Sequence, residues 1–118
     1  MNGQNNKRNY RIFLDDERFP SEHIQGPDLK ILRTAEEFKQ CILENGYPTV
    51  IYFDNDLGPG EEGHDCARWL FNRIVDEYHK NGTEIPTIEH HVHSQNSVRC
   101  KEIDRLMDDI VSFQLSIM

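Results

Sequence analysis

Along the chain, apolar positions follow two alternating spacings, short β-prone runs and helical periods, after a polar, amide-rich leader over residues 1–9. Tyr10-Arg11-Ile12-Phe13-Leu14 reads as a first strand that stops at Asp15-Asp16, and Leu29-Lys30-Ile31-Leu32 reads as a second. Between them, Glu17 to Asp28 holds Pro20, Gly26 and Pro27 and no helical period, which predicts an irregular loop. Thr34 followed by Glu37 forms an S/T-x-x-E capping box. Phe38, Cys41 and Ile42 then recur at helical spacing up to Asn45-Gly46, so a helix is expected from about 35 to 45.

Thr49-Val50-Ile51-Tyr52-Phe53 is nearly continuous apolar sequence, the pattern of a parallel strand covered on both faces, and it ends at Asp54-Asn55-Asp56. After the loop Leu57-Gly58-Pro59-Gly60, the residues Cys66, Ala67, Leu70, Phe71, Ile74 and Tyr78 line one face of a helix that stops near Asn81-Gly82. Pro86 introduces a fourth strand, Thr87 to His93, with Ser94-Gln95-Asn96 at its tip. Ile103, Leu106, Met107 and Ile110 mark a last helix, and the alternation of Val111, Phe113, Leu115 and Ile117 predicts a closing strand. Strands and helices joined by short connections imply parallel pairing through right-handed crossovers. The expected fold is therefore α/β: one flavodoxin-like domain over residues 10–118, with an open five-stranded sheet in the order 2-1-3-4-5 and helices on both faces.

Composition narrows the function. With 13 Lys+Arg against 21 Asp+Glu, the 118-residue chain carries a formal charge of −8, which argues against tracking a long stretch of nucleic acid. A small phosphorylated ligand, or the end of a nucleic acid, remains compatible. Cys41, Cys66 and Cys100 form no C-x-x-C pair and no disulfide framework, and free thiols suit a reducing, cytoplasmic setting; the compact acidic chain suits the cytosol of a bacterium or of a phage-infected host. No apolar run reaches the roughly 18 to 20 residues of a membrane span. Nothing in the pattern bears on oligomeric state.

In a sheet of this kind, ligands bind beyond the carboxyl ends of the strands at the topological switch point, here between strands one and three. Three segments bring polar groups to that edge: Asp15-Asp16, Asp54-Asn55-Asp56 and His93-Ser94-x-Asn96. Carboxylates gathered so closely repel one another, and oxygen-rich clusters of this type hold a hard cation such as Mg²⁺ or Mn²⁺, which in turn lets an acidic site accept an anion. The plain alternative is that Asp and Asn merely end strands and start turns. Arg18 either clamps a phosphate or pairs with Asp15, Asp16 or Glu17. His93 stands at a strand tip, where an imidazole can donate or accept a proton. His91 and His93 form an H-x-H pair open to a transition metal, but no cysteine stands at a zinc-site spacing from it. His90 and His91 read as residues packed under helices, and Trp69 and Phe71 as core. Gly58, Gly60 and Gly63 lack the dinucleotide fingerprint.

The segments Leu14-Asp15-Asp16-Glu17-Arg18-Phe19-Pro20, Phe53-Asp54-Asn55-Asp56-Leu57-Gly58, Gly63-x-Asp65 with Trp69-Leu70, and His93-Ser94-Gln95-Asn96 resemble the cyclic-phosphate-processing receivers, a divergent branch of the response-regulator receiver fold. The resemblance runs from about residue 11 to 110 in the expected order. It implies a receiver-like sheet whose first helix is reduced to the loop at 17–28, Mg²⁺ held by Asp15, Asp16 and Asp54 with Asp56 sharing the shell, and Asp54 at the phosphoacceptor position. No lysine follows Lys101, where an ordinary receiver carries one at the end of strand five, and Asn55 replaces the histidine usual in D-H-D-L-G.

The function implied is a metal-dependent phosphoesterase acting on a cyclic-phosphate nucleotide or RNA end. In it His93 and Asp54 would serve catalysis, and Arg18, Ser94 and Asn96 would hold the nonbridging oxygens. Two alternatives accompany it: a module that binds or sequesters such a nucleotide without turnover, and a phosphoacceptor receiver.

Overall fold

A computed structural model of the chain describes residues 9–94 and 96–118, so the leader expected at 1–9 lies outside the described residues except for Asn9. Among the described residues a parallel sheet has four strands, β1 (Arg11–Leu14), β2 (Leu29–Leu32), β3 (Val50–Phe53) and β4 (Glu89–Val92), in the order β2-β1-β3-β4. Three α-helices accompany it, α1 (Ala35–Asn45), α2 (Gly63–Asn81) and α3 (Ser97–Ser116), with a 3₁₀ turn at Glu22–Ile24. None of the helices described is long and apolar enough to cross a membrane.

Residues two apart on a strand share a face. Ile12, Leu14, Ile51 and Phe53 lie on one side of the sheet. There they form a single core with Phe38 and Ile42 of α1, Cys66 and Leu70 of α2, and Ile103 and Met107 of α3. Each such side chain, fully buried, stabilises the fold by about 1.5–3 kcal/mol. All three helices thus occupy one face, which corrects the expectation of helices on both. Crossover handedness explains the arrangement. The β2-to-β3 and β3-to-β4 connections step across the sheet in the same direction and place α1 and α2 on the same side. The β1-to-β2 connection steps the other way and must pass over the opposite face, but it is the Pro- and Gly-containing segment 15–28, whose only helical turn is Glu22–Ile24.

The expected fifth strand is also corrected. Val111 to Ser116 continues α3, and the sheet ends at β4. Phe113 extends the three-to-four spacing of Ile103, Met107 and Ile110 and meets Tyr78 edge-on, with ring centroids 5.5 Å apart. Val111 and Leu115 fall on the solvent side, 49% and 65% exposed. A run of seven residues satisfied both periods, and contact with α2 selected the helix.

The start of α2 closes against the end of β3. The Gly63 N–H donates to the Asn55 carbonyl at 2.8 Å, and a Cβ on Gly63 would lie 2.2 Å from the Asp54 carbonyl oxygen. Only glycine permits that approach. Asn55 is fully buried: its Oδ1 accepts from the His64 N–H at 3.1 Å and lies 2.9 Å from the His64 ring Nδ1. The residue that departs from the D-H-D-L-G pattern therefore anchors a helix.

The helical assignment of the last segment predicts that Val111→Lys and Leu115→Lys each change stability by less than about 0.5 kcal/mol. Phe113→Ala should cost about 1–2 kcal/mol in urea unfolding. A strand would put all three side chains on one face, so comparable losses at all three positions would contradict the helix.

Candidate functional site

Strand register builds the site. Leu14, Phe53 and Val92 are mutual partners across β1, β3 and β4, and each ends its strand. The next residues are Asp15, Asp54 and His93. The ladder continues one step into them: the N–H of Asp15 donates to the Leu32 carbonyl at 3.1 Å, that of Asp54 to Leu14 at 2.9 Å, and that of His93 to Phe53 at 3.0 Å. Two carboxylates and an imidazole are thereby held side by side on a backbone that cannot relax away from their mutual charge.

Asp15 is fully buried. Its Oδ1 accepts from the N–H groups of Glu17 and Arg18 at 3.0 and 2.9 Å, an Asx-type turn that leads the chain off the sheet. Its Oδ2 is buried with no hydrogen-bond partner among the described residues, and His93 Nε2 lies 3.5 Å away. Asp15, Asp16 and Asp54 each offer an oxygen within 4.8 Å of the others. Burial, and then the neighbouring charge of Asp15, push the Asp54 carboxyl above its ordinary value, while the Asp56 backbone N–H and the His93 imidazole oppose the rise.

This donor set fits a hard divalent cation. It offers oxygen only, it comes from two rigid strand ends, and it includes a buried carboxylate oxygen that has found no proton donor. Asp16, Glu17, Arg18, Asp54 and Asp56 line a cavity of about 270 Å³ beside it. Asp56 thus borders the cavity but stands outside the tight trio. Arg18 forms no ion pair among the described residues, so the expected alternative of a salt bridge to Asp15, Asp16 or Glu17 is not realised, and its side chain lines this cavity and a second one.

The remaining expected residues separate by role. Ser94 Oγ accepts from the Asn96 N–H at 3.2 Å, and Asn96 Oδ1 caps α3 by accepting from the Arg99 N–H at 3.1 Å. Both shape the turn that follows His93, and neither lines the two cavities that Arg18 borders. His90 lies 2.9 Å from Asp104 of α3, as a residue under a helix should. His91 does not: it is on the opposite face, stacked on Tyr52 at 5.1 Å and paired with Glu89. Gln95, the third residue of the His93-to-Asn96 motif, lies outside the described residues.

Arg33 was not singled out by any sequence pattern. Its Nη1 donates to the carbonyls of Asp15 and Arg18 at 2.9 and 2.6 Å, and its guanidinium covers the Phe19 ring at 5.0 Å. It ties the loop that carries Asp16 and Arg18 to the end of β2. The sequence signal available was only its position, one residue beyond a strand that pairs with β1.

The family described as cyclic-phosphate processing receiver domain matches residues 10–109. No curated protein and no solved structure compared with the chain gives a match.

The raised Asp54 carboxyl has a thermodynamic consequence. An acid whose folded value exceeds its unfolded value binds more protons when folded, so stability falls as pH rises from the ordinary aspartate range through the raised value. In chelator at pH 7, Asp54→Asn should therefore melt above the wild type. The difference should close as the pH falls below the ordinary aspartate value. Melting curves from pH 3.5 to 8 check this, and an Asp54→Asn protein that melts lower at pH 7 contradicts it.

Proposed function

The chain belongs to the cyclic-phosphate processing receiver domain family, and from that premise we propose that it is a metal-dependent phosphoesterase that opens a cyclic phosphate, on an RNA 2′,3′-cyclic end or a cyclic nucleotide. The observation that carries the proposal is the row Asp15, Asp54 and His93, with Asp15 Oδ2 facing His93 Nε2 at 3.5 Å and Arg18, which forms no ion pair among the described residues, on the adjoining cavity. A phosphoryl-aspartate switch needs the aspartate and a cation. It has no use for an imidazole at the tip of β4.

In this reading Asp15, Asp16 and Asp54 hold Mg²⁺ or Mn²⁺, with Asp56 at the border of the shell. When bound, the cation supplies positive charge for the phosphate among the carboxylates and acidifies water. The chain's own groups do the rest. Arg18 reaches the nonbridging oxygens as a planar, permanently charged donor. Ser94 and Asn96, expected as phosphate donors, act through the turn instead, by accepting from the backbone N–H groups of Asn96 and Arg99 and so fixing where His93 stands. Water adds to phosphorus and the ester bond to one ribose oxygen breaks. That oxygen takes a proton from the protonated His93 ring, which is left neutral, and the proton shed by the water passes to the Asp56 carboxylate, which lines the cavity outside the metal-holding trio. The product is a phosphomonoester, with atoms and charge in balance.

Stacking of His93 on Phe13, with ring centroids 5.7 Å apart and planes 28° from parallel, supports its part by restricting the imidazole's rotation. Conversion of 2′,3′-cyclic nucleotides, a cyclic-phosphate-ended RNA and 3′,5′-cyclic dinucleotides, followed by ³¹P spectra with Mg²⁺ or Mn²⁺, tests the proposal. The expected result is a monoester signal that chelator abolishes and that His93→Ala slows about 10²- to 10⁴-fold. Turnover unchanged in His93→Ala contradicts the acid role. A ligand that binds and is recovered intact makes the protein a nucleotide-binding module, and stable labelling of Asp54 by acetyl phosphate makes it a phosphoacceptor.

A further inference from the structure

The face of the sheet turned away from the helices has its own composition. In register across it stand Phe13 of β1, Tyr52 of β3 and His91 of β4, and alternation along the strands brings Asp15, Asp54 and His93 to the same side, one step beyond. The segment that passes over this face contributes Phe19, Ser21 and His23 instead of a helix. Between the rings and that segment lies a cavity of about 460 Å³, within the range of about 300–1,000 Å³ typical of small-ligand sites. Arg18 borders both this cavity and the acidic one, and His93 lines this cavity while approaching Asp15. The two cavities are therefore neighbours that share Arg18, the guanidinium assigned to the phosphate.

We propose that this cavity is the subsite for the nucleobase of the cyclic-phosphate substrate, so that the protein takes a base-bearing nucleotide rather than any five-membered cyclic phosphate. The proposal rests on the phosphoesterase reading for the position of the phosphate. The chemistry of the lining favours a flat heteroaromatic ligand: the walls are aromatic and imidazole rings, and stacking on such rings is sequence-tolerant because every base has a π-face. Phe19 lines this cavity and is 77% exposed, so its ring is open to a ligand. Arg33 stabilises one side of its ring at 5.0 Å and also fixes the loop beneath it through two backbone carbonyls. Phe19 is thus a supported lid residue with an exposed aromatic surface. Ser21 Oγ and His23 Nδ1 are hydrogen-bonded to each other at 3.2 Å, which leaves Ser21 Oγ and His23 Nε2 to supply one donor and one acceptor to a base edge.

The test separates base from phosphate. Adenosine 2′,3′-cyclic phosphate, glycerol 1,2-cyclic phosphate and adenosine itself are titrated against the full chain, with affinities from calorimetry and ring resonances from NMR. The cyclic nucleotide is expected to bind at least 10-fold more tightly than the glycerol compound. Phe19→Ala should weaken the nucleotide about 5- to 100-fold and leave glycerol cyclic phosphate unchanged, and because Phe19 is exposed the variant should fold. Tyr52→Ala provides a second reading from the sheet side.

Equal affinity for the base-bearing and base-free compounds overturns the subsite and leaves the phosphoesterase reading standing if both are opened. If neither cyclic phosphate is bound or opened, the phosphoesterase reading fails, and adenosine decides the subsite: shifts of the Phe13, Tyr52 and His91 rings support it, and their absence overturns it. Ring shifts that grow with protein concentration and no ligand, together with a doubled sedimentation mass, assign the face to a second copy and overturn the proposal.

Discussion

Parallel register at the strand ends is the constraint on which the site depends. Leu14, Phe53 and Val92 are paired across three strands and anchored on the helical side by the core, so the residues that follow them have no freedom to move apart. Two carboxylates are consequently held close together beside an imidazole in a partly dehydrated setting. Left in solution, such a set would separate or take up protons. The cost is visible in the raised Asp54 carboxyl and in an Asp15 oxygen with no donor. A folded domain that keeps an uncompensated group of this kind stores a preference for positive charge.

The second determinant is topological. Because β1 leads to β2 in the direction opposite to the other connections, right-handedness assigns its crossover to the far face of the sheet. A helix there would cover Phe13 and Tyr52 as it does in a doubly wound sheet. The segment 15–28 instead turns off at Asp15, held by two backbone N–H bonds and by Arg33, and arches over the rings without filling the space. One local event, the Asx-type turn at Asp15, therefore ties the acidic site to the aromatic cavity. Loss of the helix and gain of the cavity are the same structural fact.

Much of this was legible in the chain. The strand ends were marked by abrupt changes from β-prone runs to Asp, and the capping box at Thr34 placed a helix that the structure bounds at Ala35 and Asn45. Convergence of Asp15, Asp16 and Asp54 followed from the switch-point rule once the strand order was inferred. Where sequence reasoning failed, a short pattern admitted two periods or a face had no local signature. Val111 to Ile117 alternated, yet Phe113 had Tyr78 to meet. Val50 to Phe53 looked covered on both sides because Tyr52 serves equally as a core residue and as a platform. The clue lay on the neighbouring strand, where Glu89 and His91 are polar at alternate positions and so could not face a dry interior. Arg33 carried no motif, because its partners are carbonyl groups rather than side chains.

The central claim is that the carboxylate row holds a divalent cation against which a cyclic phosphate is seated. Electron paramagnetic resonance of Mn²⁺ added to the protein, with ³¹P double resonance after addition of a cyclic nucleotide, tests it most directly. One bound Mn²⁺ per chain is expected, lost in Asp15→Asn and in Asp54→Asn, with a ³¹P coupling that arises only when the nucleotide is present. Free Mn²⁺ at all protein concentrations, or a bound ion indifferent to both substitutions and blind to phosphorus, would contradict it.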